Sequence, residues 1–119
     1  MSLTRLRVLV VEDEFLIALH LQCELEEVGV EVVGPTATVR DALRLVEEGS
    51  FDVATLDVAL KDGPSFPVAD ALQSASKPFL FVTSHNIVEL AQAYPTVVTV
   101  PKPILFSRLF AALRLKAGR

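Results

Sequence analysis

Five short apolar runs, each followed by a stretch with helical spacing, most constrain what this chain can fold into. Leu6-Arg-Val-Leu-Val-Val11 is β-branched with little alternation, as expected for a strand covered on both faces. From Phe15 to Val28 apolar residues recur at Leu16/Ile17, Leu21, Leu25 and Val28, and Gly29 supplies a left-handed stop. Val30-Glu-Val-Val33 reads as a second strand, broken by Gly34-Pro35. Thr38 with Asp41 opens a helix whose apolar face is Ala42, Leu43, Leu45 and Val46, and Gly49 ends it. The third run, within Phe51–Gly63, is Val53, Ala54, Leu56 and Val58, interrupted near its end by Asp57.

The second half repeats the pattern. Ser65 suits an N-cap and Pro67 a first helical turn, for a helix through Val68, Ala69 and Leu72 that ends near Ser74–Ser76. Pro78–Thr83 is the fourth strand. Asn86 and Glu89 start a helix that must stop before Pro95. Thr96–Val100 is the fifth strand, broken by Pro101-Lys102-Pro103. Ile104 to Lys116 is a last helix with Leu105, Leu109, Ala112 and Leu113 on one face and basic residues at its end. Five strands alternating with five helices, joined by short links and right-handed crossovers, predict an α/β fold: a doubly wound parallel sheet with helices on both faces. With 119 residues, the expectation is one domain over residues 1–119.

Composition narrows the function classes. At 51% hydrophobic and 22% charged, the chain can pack a core, and no apolar run reaches the roughly 18 residues a membrane span needs. No secretory signal is visible and the one cysteine, Cys23, cannot pair internally, so the expected compartment is the cytoplasm. Cys23 lies in the first helix next to apolar positions and is expected to be structural. A net charge of −4 with no basic cluster argues against nucleic-acid binding by this chain alone.

In such a fold, ligands sit at the carboxyl ends of the strands. Strand one ends in Glu12-Asp13, strand three in Asp57, strand four in Thr83-Ser84, and Lys102 follows strand five. Singly, each has a bland explanation: Asp57 as an Asx cap, Glu12 and Asp13 as helix-start acids, Thr83 as a strand residue, Lys102 as a loop lysine. Together they form a chemical set. Clustered carboxylates repel one another unless a cation intervenes, and a hard divalent ion such as Mg²⁺ favours carboxylate, carbonyl, water and phosphate oxygens. Lys102 suits a phosphoryl oxygen, the Thr83 hydroxyl another, and an Asp can attack phosphorus to form an acyl phosphate.

These residues carry a resemblance. Val10-Val11-Glu12-Asp13-Glu14, Leu56-Asp57-Val58, Val82-Thr83-Ser84 and Lys102-Pro103, in this order and spacing, make the chain similar to the receiver domain of two-component response regulators over nearly its whole length. The resemblance implies a flavodoxin-like sheet of order 2-1-3-4-5. It implies that Asp57 accepts a phosphoryl group from the phosphohistidine of a histidine kinase, in a phosphorelay for signal transduction. Asp13, Asp57 and the Ala59 backbone carbonyl would hold Mg²⁺, with Glu12 acting through a metal-bound water. Thr83 would bind a phosphoryl oxygen and move on activation, Lys102 would pair with the phosphate, and Lys102-Pro103 is often cis in the family. Ala59 and His85, two residues after the acceptor and the threonine, would line the mouth of the site and modulate phosphoryl lifetime.

Two departures stand out. Many receivers carry Tyr or Phe three residues before the lysine; here that switch position is Thr99. Phe81-Val82-Thr83-Ser84-His85-Asn86 partly matches the Phe-x-Thr-Gly-x-Tyr motif of small alphaproteobacterial receivers, with Ser for Gly and Asn for Tyr. The chain is expected to be a switch with no external product, catalysing only its own phosphorylation and dephosphorylation. Since no output domain follows helix five in the sequence, output is expected through a protein partner, a histidine phosphotransfer protein or a downstream regulator. A pseudo-receiver that binds without being phosphorylated is the alternative. A haloacid-dehalogenase-type phosphatase lacks its second acid at Ala59 and room for a cap domain. A flavodoxin-like FMN binder lacks a phosphate loop where Glu12-Asp13-Glu14 stands.

Overall fold

A computed structural model describes residues 2–119. Five parallel strands, β1 (Arg7–Val11), β2 (Glu31–Thr36), β3 (Val53–Leu56), β4 (Phe79–Thr83) and β5 (Thr99–Pro101), form one sheet in the order 2-1-3-4-5. The helices are α1 (Phe15–Glu27), α2 (Val39–Glu48), α3 (Phe66–Ser74), α4 (Ile87–Ala93) and α5 (Phe106–Lys116). β3 and β4 are buried along their whole length, which is why they read as unbroken apolar runs.

Alternation along each strand splits the core into two layers. Leu9, Val11, Ala54, Leu56, Phe79 and Phe81 face α2, α3 and α4, where Ala42, Val46, Leu72 and Leu90 meet them. Val8, Val10, Val53, Leu80 and Val82 face α1 and α5, against Leu21, Leu25, Leu109 and Leu113. No helix among the described residues is long and apolar enough to cross a membrane.

Helix ends follow local chemistry. Thr38 Oγ1 accepts from Asp41 N at 3.1 Å and Asn86 Oδ1 accepts from Val88 N at 2.9 Å, the caps the sequence predicts. Gly29 and Gly49 hold the left-handed conformation that ends α1 and α2. Ser65 stands at the N-cap of α3 but its side chain makes no capping bond; its carbonyl accepts from Val68 N and Ala69 N instead.

Four expectations change. β2 does not break at Gly34-Pro35 but runs through it to Thr36, with a register irregularity opposite Leu9–Val11. An edge strand tolerates proline and a bulge, and Gly34, at φ +92, lies where a Cβ would sit 3.0 Å from Thr36 N and 3.1 Å from Val10 O. β5 is shorter than Thr96–Val100 and includes Pro101, again on an edge. The buried face of α1 is Ala18, Leu21 and Leu25, so Leu16 is 75% exposed; Leu105 precedes α5 and is likewise exposed. Cys23 is on α1 as expected, but on its exposed side and not packed in the core. Gly34-Pro35 and Lys102-Pro103 are both cis.

Leu56, fully buried, ends β3 just before Asp57. Leu56→Ala should cost about 2–5 kcal/mol in chemical denaturation, the usual range for emptying a packed leucine site. Leu16→Ala, at an exposed position, should stay within about 0.5 kcal/mol of the parent.

Candidate functional site

Strand register brings the polar residues together. Val11 of β1 pairs with Leu56 of β3, so the next residues, Glu12 and Asp57, emerge side by side. Thr83 of β4 pairs with Pro101 of β5, and Lys102 N donates to Thr83 O at 3.1 Å, which fixes where the lysine side chain begins. Asp57 N donates to Val11 O at 3.0 Å, continuing the ladder one step past the end of β3.

Lys102 Nζ sits between two acids, 2.7 Å from Asp57 Oδ2 and 2.6 Å from Glu12 Oε1. The Asp57 contact is a hydrogen bond. The Glu12 contact is a close ion pair. The other oxygens are held by backbone amides: Val58 N donates to Asp57 Oδ1 at 2.7 Å, and Glu14 N donates to Glu12 Oε2 at 3.1 Å. Glu12, Asp57 and Thr83 are all buried, and Asp13 is half-buried.

Burial sets the electrostatics. Desolvation pushes the Glu12 carboxyl up to about 7, and the Asp57 charge adds to the effect. The Lys102 ammonium pulls the other way and does not fully offset it. Burial alone would lower the Lys102 pKa, but its bonds to Asp57 and Glu12 outweigh that and raise it. One ammonium thus serves two buried acids, with Asp13 close by.

Oxygens of Glu12, Asp13 and Asp57 lie within 4.8 Å of one another. Three hard oxygen donors at this spacing suit Mg²⁺. Beside them opens a cleft of about 240 Å³, lined by Asp57, Thr83, Lys102, Ala59 and His85 among others. Ala59 is exposed, and its small side chain leaves the mouth open. Thr83 Oγ1 accepts from His85 N at 3.1 Å. The His85 imidazole is only half withdrawn from solvent and lies 3.3 Å from Glu89 Oε2, one turn along α4. Thr99 is not at the cleft; it pairs with Phe81, two residues back from the strand ends.

Comparison with known proteins decides the family. A family model for the response regulator receiver domain matches residues 8–114. The chain belongs to the response regulator receiver domains. This receiver is 34% identical over 84 residues to the sensory transduction protein LytT of Bacillus cereus, covering 68% of the present chain and 34% of LytT. It is 33% identical over 81 residues to the phyllosphere-induced regulator PhyR of Methylorubrum extorquens, covering 66% and 30% of the two chains. The matched stretch thus spans about a third of these curated relatives. Among solved structures, the BeF₃-activated conformation of SdrG from Pseudomonas melonis is 37% identical with a TM-score of 0.77, covering 95% of this chain and 98% of SdrG. PhyR from Brucella abortus is 26% identical with a TM-score of 0.83, covering 97% of this chain and 49% of that one.

Two structural participants escaped the sequence reading. Asp62 accepts from Val39 N at 2.6 Å and Arg40 N at 3.2 Å, so the loop after β3 caps α2. That bonding, from Val39 foremost, holds the Asp62 carboxyl below its usual range. Its turn-forming context, Lys61-Asp62-Gly63, was a legible turn signal but did not name its partner. The loop also folds into a two-residue antiparallel pair, Ala59–Leu60 with Gly63–Pro64.

A pH dependence follows from Glu12. Its folded pKa is raised from 4.5 to about 7, so the folded state holds a proton that the unfolded state has lost in this range. Without added metal, the stability contributed by this group is complete below pH 4.5 and falls as pH rises through about 7. Thermal melts should show that decline, Glu12→Gln should flatten it, and Mg²⁺ should stabilise the parent more at pH 8 than at pH 5.

Proposed function

We propose that this receiver is a phosphoryl-accepting switch of a two-component phosphorelay in the cytoplasm, with Asp57 as the acceptor. The observation that carries the reading is the Lys102 ammonium 2.7 Å from the buried Asp57 carboxylate, beside two more carboxylates at an open cleft. The solved relative SdrG, 37% identical and captured in its BeF₃-activated conformation, supports it.

In the proposed reaction, an Asp57 oxygen attacks the phosphorus of a phosphohistidine on a histidine kinase. A P–O bond forms, the P–N bond breaks, and its electron pair returns to the imidazole, which takes up a proton. Mg²⁺ held by Asp13, Asp57 and the Ala59 carbonyl, with Glu12 through a water, would supply charge neutralisation on the phosphoryl oxygens. Lys102 leaves its place between the acids to pair with a phosphoryl oxygen, and Thr83 donates its hydroxyl to another. The transfer needs positioning and charge compensation more than covalent help from the protein. Dephosphorylation uses water as the attacking group: a new P–O bond forms, the P–O bond to Asp57 breaks, inorganic phosphate leaves with the water's oxygen, and the Asp57 carboxylate is restored. His85, whose backbone N already bonds Thr83 Oγ1, stands at the cleft mouth and modulates that attack. Output passes to a histidine phosphotransfer protein or another downstream regulator.

Incubation with acetyl phosphate and Mg²⁺ should produce a shifted band on a phosphate-affinity gel, and Asp57→Asn should abolish it. Lys102→Ala should slow phosphorylation by about a hundredfold or more, the usual loss when one charge-stabilising donor is removed. An unshifted wild-type band, even with a cognate kinase, would favour an unphosphorylated binding module. Sustained phosphate release from general monoesters would favour a phosphatase. His85→Ala should change the decay rate of the Asp57 acyl phosphate; an unchanged rate removes His85 from the mechanism.

A further inference from the structure

The loop that follows β3 is held at its tip by a different helix from the one it leads into. Ala59 and Leu60 pair with Gly63 and Pro64 across the turn Lys61-Asp62. So short an antiparallel pair has little stability of its own. Its base is fixed, because Ser65 N donates to Val58 O at 2.8 Å and the Leu60 side chain is buried in the core. Its tip crosses to the start of α2. Lys61 N donates to Ala37 O at 3.2 Å, and the Asp62 carboxylate accepts from Val39 N at 2.6 Å and from Arg40 N at 3.2 Å.

The first turn of α2 therefore takes its partners from two places. A helix start leaves four N–H groups without partners inside the helix. Thr38 Oγ1, next to the helix in sequence, accepts from Asp41 N at 3.1 Å. Val39 N and Arg40 N are served by Asp62, 23 and 22 residues further on. A carboxylate at this end of a helix is also favoured by the helix dipole.

The crossing stands against the acids. Ala37 and Lys61 line one hollow of about 220 Å³ together with Glu12 and Asp13, and Ala59 lines the neighbouring cleft with Asp57. Pro64, the residue opposite Ala59, has no N–H, so the Ala59 carbonyl is not claimed by its ladder partner. The place of that carbonyl is set by the course of the loop, and Asp62 sets the course of its tip.

We propose that Asp62 is a positioning residue for Mg²⁺: from the start of α2 it straps the loop so that the Ala59 carbonyl completes the donor set of Glu12, Asp13 and Asp57. The inference rests on the Mg²⁺ site proposed above and deepens it. Coupling of this kind is reciprocal. An ion that fixes the loop also fixes Asp62 on α2, so the first turn of α2 tightens when Mg²⁺ binds.

Isothermal titration of the full chain with Mg²⁺ alone reads the affinity without any phosphoryl donor. Asp62→Ala should weaken it about tenfold, the low end of the range for removing a group that orients metal ligands. Asp62→Asn keeps one acceptor oxygen and should lose less. Thr38→Ala removes the helix's own cap without touching the loop; it should melt lower and still bind Mg²⁺ as the parent does. In the parent, Mg²⁺ should slow hydrogen exchange at Val39 and Arg40. With acetyl phosphate at saturating Mg²⁺, Asp62→Ala should be phosphorylated at the parent's rate, since the loss is in metal binding and not in the transfer. Parental Mg²⁺ affinity in Asp62→Ala, or an equal loss in Thr38→Ala, would overturn the strap and leave the Mg²⁺ site standing. A parent that binds no Mg²⁺ would overturn both. If the titration series holds but the parent is never phosphorylated, the strap is supported and the acceptor role of Asp57 falls.

Discussion

The ammonium of Lys102, held between Glu12 and Asp57, is the interaction on which the rest of the site depends. Two buried carboxylates side by side, with a third close by, would repel one another strongly in a medium of low polarity. The lysine makes their approach tolerable, while burial first, and the Asp57 charge after it, still raise the Glu12 pKa. The remaining charge is a standing demand for a hard cation or for protons. A site built this way can exchange partners without rebuilding its scaffold, because the acids are fixed by backbone amides while the lysine is a long, flexible arm.

The sheet makes that arrangement possible. Parallel pairing puts every strand's carboxyl end at one rim, and the order 2-1-3-4-5 sets β1 beside β3, so that Glu12 and Asp57 become neighbours. β5, at the far edge, delivers Lys102 from a backbone position locked to Thr83. The apolar layers on either side carry no chemistry, but they fix the register. A one-step slip of β3 would turn Asp57 away from Glu12.

Much of this could be read in the residues. Continuous apolar runs reveal strands buried on both faces, and in a parallel fold the residues just after such runs must share a rim; that logic found Glu12, Asp13, Asp57, Thr83 and Lys102 without any distance in hand. What stayed hidden depends on contacts between distant segments. Nothing local says that Asp62 caps α2 rather than its own turn, or that Tyr94 reaches Asp70 and Phe81 from beyond the end of α4. Gly34-Pro35 is a good break signal, yet an edge strand can absorb it. Apolar side chains such as Leu16 and Leu105 fit a helical stripe and still face solvent, since periodicity marks a face and not its extent. Thr99 shows only what β5 lacks; the packing of Tyr94 against Phe66 and Phe81 joins segments distant in sequence.

Family membership and geometry meet at one atom pair, Lys102 Nζ and Asp57 Oδ2. The most direct test of the acceptor role is chemical trapping. The protein is incubated with Mg²⁺ and a phosphorylated histidine kinase, reduced with borohydride, and its peptides are sequenced by mass spectrometry. Reduction of an acyl phosphate leaves homoserine, and the role assigned to Asp57 predicts homoserine at position 57 alone. Phosphate trapped at another residue, or none trapped with a kinase that phosphorylates other receivers, would contradict it.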